Sequence, residues 1–232
     1  MEDDLDTESV LPARGEAYIW LQETSEVVGD PGLLDDAERT RAGSFVRDVD
    51  RERYVAAHLM LRQLLGRHLD TPPARVRFGR ETCPCCGGPH GRPALAGEHT
   101  GCGLEFSLSH AGPLVLVALA VQPVGADIEA IPEPGVLAEL ASVLHPAERE
   151  ELEELEAGGP DGGGPEGFAR LWTRKEAYLK GLGTGLGRAP NLDYVGTRQP
   201  GPEGWALADV PAPTGFAAAV ALRGPSVRLW HR

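Results

Sequence analysis

The feature that most limits how this chain can fold is Leu114 to Val121, an unbroken apolar run of eight residues behind Pro113. Eight residues fall far short of the roughly 20 that cross a bilayer, so the run reads as a wholly apolar strand. It has strand neighbours on both sides. Leu104 to Ser109 alternates, with Leu104, Phe106 and Leu108 on one face, and Gly125 to Glu129 resembles a third strand. Upstream, Ala17 to Leu21 reads as a first strand behind a frayed acidic tail, and Leu33 to Ala42 as a short helix. Asp50 to Leu69 is a longer helix in which Tyr54, Val55, Leu59, Leu61, Leu65 and Leu69 recur near a helical period. Thr71-Pro72-Pro73 ends it, and Val76 to Gly79 is a short strand.

Downstream, Val136 to Leu144 is helical, and a second helix starts at His145-Pro146, where proline suits the first turn, and runs to Glu156. Gly158 to Gly167 (GGPDGGGPEG) predicts a flexible loop. Phe168 to Leu182 is a strong helix, with Phe168, Leu171, Trp172, Tyr178, Leu179 and Leu182 near a period of 3.6, stopped by Gly183 and Gly185. Three short strands follow, at Trp205–Leu207, Phe216–Leu222 and Val227–Trp230. Each half of the 232 residues thus offers helices and a few strands, compatible with two α/β lobes that meet near residues 121–126.

Charge narrows the function. The net charge of −13 argues against nucleic-acid binding through a general basic surface. No run is long enough to span a membrane, and the N-terminus is acidic where a signal peptide is basic and then apolar, so a soluble cytoplasmic protein is expected. Within this acidic chain, residues 39–80 hold ten arginines against four acids, an island suited to an anionic small molecule or, more plainly, a solvated helix face. Twenty of the 22 basic residues are arginine, which makes the two lysines, Lys175 and Lys180, stand out. A lysine is a compact point charge where arginine is a planar fork.

Asp127 and Glu129 lie two apart on a strand, so their carboxylates point to one side. Trp172, Glu176 and Lys180 are spaced by four and share a helix face. If strand and helix meet, three carboxylates and a lysine converge, and a divalent cation with an all-oxygen donor set relieves their repulsion. The plainer alternative is two independent surface features.

Two segments in order, Gly125-Ala-Asp-Ile-Glu129 and Leu171-Trp-Thr-Arg-Lys-Glu-Ala-Tyr-Leu-Lys180, resemble the paired signature of the 4′-phosphopantetheinyl transferases. Phe106-Ser-Leu-Ser109-His110 is similar to that family's serine-histidine element, and Gly91-Arg92-Pro93 to its G-K-P turn. Arg47, Asp50, Arg51, Arg53 and Leu61-Arg62 sit where the family carries a basic helix start. Ala126 replaces a larger aliphatic residue and Arg92 a frequent lysine; neither touches the carboxylates. The length matches the larger, surfactin-synthetase-activator type.

The resemblance implies an α/β (α+β) fold, a monomeric pseudo-dimer of two similar lobes, each a small, mainly antiparallel sheet packed with helices. The lobes would be residues 1–122, on the coenzyme A 3′-phosphate and adenine side, and residues 123–232, carrying the Mg²⁺ site and catalytic helix. It implies transfer of the 4′-phosphopantetheine arm of coenzyme A to a serine of an apo acyl, polyketide or peptidyl carrier protein, releasing adenosine 3′,5′-bisphosphate. Asp127, Glu129 and Glu176 would hold Mg²⁺, or Mn²⁺, and Asp127, Glu176 and Lys180 would be catalytic. Glu176 or a metal-bound water would take the serine proton. Lys180 and Lys175 would contact the phosphates; Arg47, Arg53, Arg92, Ser109 and His110 would bind phosphate, chiefly the 3′-phosphate.

All four cysteines lie between Cys83 and Cys102. Cys83 and Cys86 have C-x-x-C spacing, His90 follows four residues on, and Cys102 offers a fourth donor for zinc. The second C-x-x-C or H-x-H pair of a zinc ribbon is missing, so the stretch is read as reduced cysteines in a structured loop. Two other functions stay open at this stage, a zinc-bearing interaction module with merely superficial carboxylates and a Mg²⁺-dependent nucleotide hydrolase.

Overall fold

The computed structural model describes residues 11–137, 141–157 and 163–232. Its strands are β1 (Glu16–Glu23), β2 (Phe78–Arg80), β3 (Pro93–Leu95), β4 (Glu105–Ala111), β5 (Leu114–Ala120), β6 (Val124–Ala130), β7 (Trp205–Val210), β8 (Phe216–Arg223) and β9 (Arg228–His231). Its helices are α1 (Asp36–Gly43), α2 (Asp48–His68), α3 (Pro146–Ala157) and α4 (Gly164–Leu182), with short 3₁₀ turns between.

The apolar run explains the layering. β5 is buried along its whole length, and alternate residues face opposite ways. Val115, Val117 and Leu119 pack with Tyr18 and Trp20 of β1 against Ala57, Met60, Leu61, Leu64 and Leu65 of α2. Leu116, Ala118 and Ala120 pack with Ala17 and Ile19 against Val124, Ala126 and Ile128 of β6 and Val220 and Leu222 of β8. The reverse face of β8, Ala219 and Ala221, lies on Ala177, Tyr178 and Leu179 of α4. The result is four layers, helix, sheet, sheet, helix, each sheet with its own helix.

The first sheet has the order β4-β5-β1-β9 and the second β6-β8-β7, all pairs antiparallel except β1 with β9. A two-stranded hairpin, β2 with β3, stands apart. This mixed α/β architecture with small antiparallel sheets and packed helices is the one expected from the sequence. The last strand departs from the expected division at residue 122: β9 returns to pair with β1 (Ala17 opposite Leu229), so residues 228–231 complete the first sheet rather than the second.

Two other expectations need adjustment. The frayed tail and the stretch 158–162 fall outside the described residues, as do 138–140 of the expected helix over Val136–Leu144. The glycine-rich stretch does not remain loop to Gly167. α4 takes in Gly164 to Gly167 because Pro165 fits a first turn, and Gly167 is buried.

Candidate active site

Beyond the faces that bury the apolar core, the two sheets come together at edge strands β4 and β6, and the link is not a strand ladder. Ser107 Oγ accepts from the Ala126 N–H at 2.9 Å, and Ser109 Oγ accepts from the Ile128 N–H at 3.4 Å. Two hydroxyls from β4 thus occupy backbone donors of β6 that an edge strand otherwise leaves exposed.

On its other side β6 lies directly against α4. A Cβ at Gly125 would overlap the Ala177 carbonyl oxygen and the Gly181 nitrogen, so only glycine permits this approach. The close contact brings Asp127, two residues along the strand, to Lys180, one turn along the helix. Lys180 Nζ lies 2.6 Å from Asp127 Oδ1 and 2.9 Å from Ser109 Oγ, and Ser109 Oγ donates to Asp127 Oδ1 at 2.8 Å. The second carboxylate oxygen, Asp127 Oδ2, is buried without a hydrogen-bond partner.

Glu129 and Glu176 stand beside this trio, both partly buried. Burial, then the negative charges of Asp127 and Glu176, push the Glu129 carboxyl up to about 7, against the pull of Lys180. Burial and Asp127 raise Glu176 above its usual range. Asp127 is itself held high by burial, opposed by Lys180 and Ser109. One lysine does not balance three carboxylates, and the carboxylates are not superficial. The chemistry that fits is a divalent cation. The donors are all oxygen, Asp127 Oδ2 has no other partner, and a dication lowers the cost of ionising all three groups. The three do not bring their oxygens within 4.8 Å of one another; among the described residues only Cys83, Cys86 and His90 gather their donor atoms so closely.

Lys180 also forms one end of a cleft of about 710 Å³ between the halves of the molecule. Phe78, Phe106, Leu108 and Leu61 give it an apolar wall, while Arg80, Arg92, His58 and Lys180 give it cationic or donor groups. His110, open to solvent along one edge, is held below its usual range by partial desolvation and then by Lys180, His58 and Arg53.

The other expected phosphate ligands are distributed unevenly. Arg53 is partly exposed, 3.6 Å from Asp50. Arg47 is exposed and bound to Asp50 at 2.6 Å, outside the cleft lining. Arg92 lines the cleft but its guanidinium is already engaged by Glu81 at 2.8 Å, Glu105 at 3.1 Å and the Gly181 carbonyl. Lys175 is not a phosphate ligand. It is fully buried, bonded to Glu148 Oε1 at 2.7 Å and to the Asp193 carbonyl, and burial lowers its pKa against the pull of Glu148.

Sequence reasoning missed His58 and Arg80. His58 carried a readable signal, since Tyr54, His58 and Arg62 are spaced by four on one face of α2. His58 Nδ1 lies 2.8 Å from Glu38, and its ring packs on Tyr54. Arg62, read as part of a basic helix start, is wholly buried and structural: it binds Glu38, Asp35 and the carbonyls of Pro73 and Val76.

Comparison with known proteins agrees with this arrangement. Residues 123–204 match the model of the 4′-phosphopantetheinyl transferase superfamily, and residues 20–122 match that of the 4′-phosphopantetheinyl transferase N-terminal region. The 4′-phosphopantetheinyl transferase HetI of Nostoc is 30% identical over 93% of this chain and 92% of its own length. The chain belongs to the 4′-phosphopantetheinyl transferase superfamily. Family membership makes it a transferase enzyme. The 4′-phosphopantetheinyl transferase of Bacillus subtilis is 28% identical over 64% of this chain and 60% of its own length. The mouse L-aminoadipate-semialdehyde dehydrogenase-phosphopantetheinyl transferase is 27% identical over 72% of the chain; the match spans 54% of that longer protein. The first of these models spans the segment that holds Asp127, Glu129, Glu176 and Lys180, and membership removes the zinc-bearing interaction module as a reading of the whole protein.

Proposed function

We propose that this enzyme moves the 4′-phosphopantetheine arm of coenzyme A onto a serine hydroxyl of an apo acyl, polyketide or peptidyl carrier protein, with Mg²⁺ or Mn²⁺ and with adenosine 3′,5′-bisphosphate as the other product. The observation that carries the reading is Asp127. One of its oxygens is held by Lys180 and Ser109, the other is buried without a partner, two further carboxylates stand beside it, and its partner Lys180 lines a cationic cleft.

The serine oxygen forms a bond to the phosphorus nearest the pantetheine, and the bond from that phosphorus to the bridging oxygen breaks toward the nucleotide. Asp127, Glu129 and Glu176 would hold the dication, which would supply charge neutralisation at the pyrophosphate. Lys180 supplies a fixed positive charge to the phosphates. Glu176, beside Asp127, or a metal-bound water would accept the serine proton. The cleft's apolar wall, Phe78 and Phe106 in particular, suits a purine, and Arg80, Arg53 and His110 suit the 3′-phosphate.

This reading includes a single-chain working unit of the surfactin-synthetase-activator type. A duplicated sheet and helix in one chain support it, since both lobes contribute to one site. It also includes a cytoplasmic setting, supported by four cysteines that are all unpaired. The test is intact-mass analysis of apo carrier proteins incubated with enzyme, coenzyme A and Mg²⁺. The expected result is one phosphopantetheine adduct on a serine, abolished by chelator. Hydrolysis of coenzyme A without an adduct on any carrier would establish a nucleotide hydrolase instead.

A further inference from the structure

The loop that connects β2 to β3 carries a second cluster, which the transfer reaction does not use. Cys83 Sγ, Cys86 Sγ and a ring nitrogen of His90 all lie within 4.8 Å of one another. Cys86 Sγ is 2.9 Å from His90 Nε2. Zinc bonds of roughly 2.3 Å to sulfur and 2.1 Å to nitrogen give tetrahedral edges of about 3.6–3.8 Å, so these three donors need only small side-chain shifts to share one ion.

The backbone around them has the form of a metal-binding turn. The Cys83 N–H donates to the Gly88 carbonyl at 2.8 Å, and the Gly87 N–H returns to the Cys83 carbonyl at 2.9 Å. Gly87 sits at φ +73°, a conformation that closes the turn and that a side chain disfavours. Inside the turn the N–H groups of Cys85 and Cys86 point at Cys83 Sγ, which lowers that thiol's pKa and favours the thiolate that a metal binds. Cys83 is buried, whereas Cys86 and His90 face solvent, so an ion can enter from the surface.

We propose that Cys83, Cys86 and His90 bind one Zn²⁺, with the fourth position held by water. Two thiolates and an imidazole select zinc over the hard cations suited to the carboxylates. Cys102, the fourth donor the spacing suggested, lies outside this cluster, and so does Cys85. The site works as a staple. It fixes the 83–90 turn, whose last residues, Pro89 and His90, form part of the cleft wall together with Gly91 to Pro93 directly beyond it. The inference stands on its own geometry and does not depend on which reaction the carboxylates support.

The test uses the full chain expressed with added zinc and purified without chelators. Elemental analysis is expected to find about one zinc per chain, retained through gel filtration. Cys85→Ser and Cys102→Ser are expected to retain it, while Cys83→Ser, Cys86→Ser and His90→Ala weaken zinc affinity at least about tenfold in chelator competition. Cobalt added to the metal-free wild-type chain is expected to give thiolate-to-metal charge-transfer absorption; this measurement needs no variant to fold. Zinc that washes out of the wild-type chain with no cobalt–thiolate band would overturn the proposal. So would undiminished affinity in Cys86→Ser, or loss of zinc in Cys102→Ser, which would assign a different donor set.

Discussion

Replacing Lys175 with methionine separates a structural lysine from a substrate-binding one. The change keeps the side chain's length and apolar stem but removes the charge from a fully buried pair. Glu148 then loses the ammonium at Oε1 yet keeps the Val195 N–H at 2.7 Å, and Oε2 keeps the His145 N–H at 3.0 Å. Breaking a buried ion pair costs about 3–5 kcal/mol, and the two surviving backbone bonds set the expectation at the lower end, about 3 kcal/mol. For a protein of this size that corresponds to a melting temperature lower by about 6–12 °C. Circular dichroism melts and urea titration give the stability. Initial rates over a range of coenzyme A concentration, taken below the transition, give KM, which is expected to stay within about threefold of wild type. A second substitution supplies the internal control. Adding Glu148→Gln to Lys175→Met removes the stranded charge and preserves an acceptor for the Val195 N–H, so the double variant is expected to be more stable than Lys175→Met alone. The reasoning fails if Lys175→Met melts within about 2 °C of wild type while the KM for coenzyme A rises tenfold or more, since that pattern belongs to a lysine that meets phosphate.

Three further outcomes are expected. Gly125→Ala drives a methyl into the backbone of α4, so it should cost at least about 1–3 kcal/mol in melts and, by displacing Asp127 from Lys180, about 10²-fold in kcat/KM; normal turnover would show that the close approach is not needed. Glu176→Gln keeps size and removes charge, so kcat should fall at least about 10²-fold with the fold intact, and Lys180→Arg should also be damaging because a planar fork does not replace a point charge bonded to both Asp127 and Ser109; near-full turnover in both would remove them from the site. Glu38 is desolvated, but bonds from His58, Arg62 and the Asp35 N–H outweigh burial and hold its pKa below 4.5, so its contribution to stability is present above pH 4.5 and lost as pH falls through the lower folded value. Glu38→Gln should flatten that acid limb of the stability profile, and an unchanged limb would assign it to other carboxylates.

Much of this fold was legible because its strongest local signals are also its tertiary ones. The apolar run at 114–121 is a strand with no polar face because both faces are covered, by α2 and by the second sheet. The Gly-x-Asp-x-Glu segment combines a glycine for close approach with alternation that puts two carboxylates on one side. What escaped the sequence was contact between distant residues. Nothing local distinguishes β9 from a fourth strand of the second sheet; its pairing with β1 spans nearly the whole chain. Arg62 looks like any helical arginine until Asp35 and Glu38 close over it. Lys175 is the instructive error. At about 100° per residue, Glu176 and Lys180 share a helix face while Lys175 points well away from both. Its rarity as a lysine suggested a phosphate, but the helical angle already excluded it from their face, and its partner Glu148 lies 27 residues away.

Counting the bonds left over in the site narrows what it can receive. Ser109 was expected to bind phosphate, but its hydroxyl donates to Asp127 and accepts from Lys180 and from the Ile128 N–H, the one donor and two acceptor sites a hydroxyl possesses. It therefore orients the site and ties β4 to β6. Lys180 has spent two of its three hydrogens, on Asp127 and Ser109, and its side chain is 33% exposed, so the third is available to the cleft. Asp127 has spent one oxygen and kept the other. The unspent valences of this buried trio are thus one cationic donor and one anionic acceptor side by side. A phosphate alone satisfies the first and is repelled by the second; a cation alone does the reverse. A phosphate and a metal arriving together satisfy both, which is what the proposed coenzyme A pyrophosphate and its divalent ion would supply.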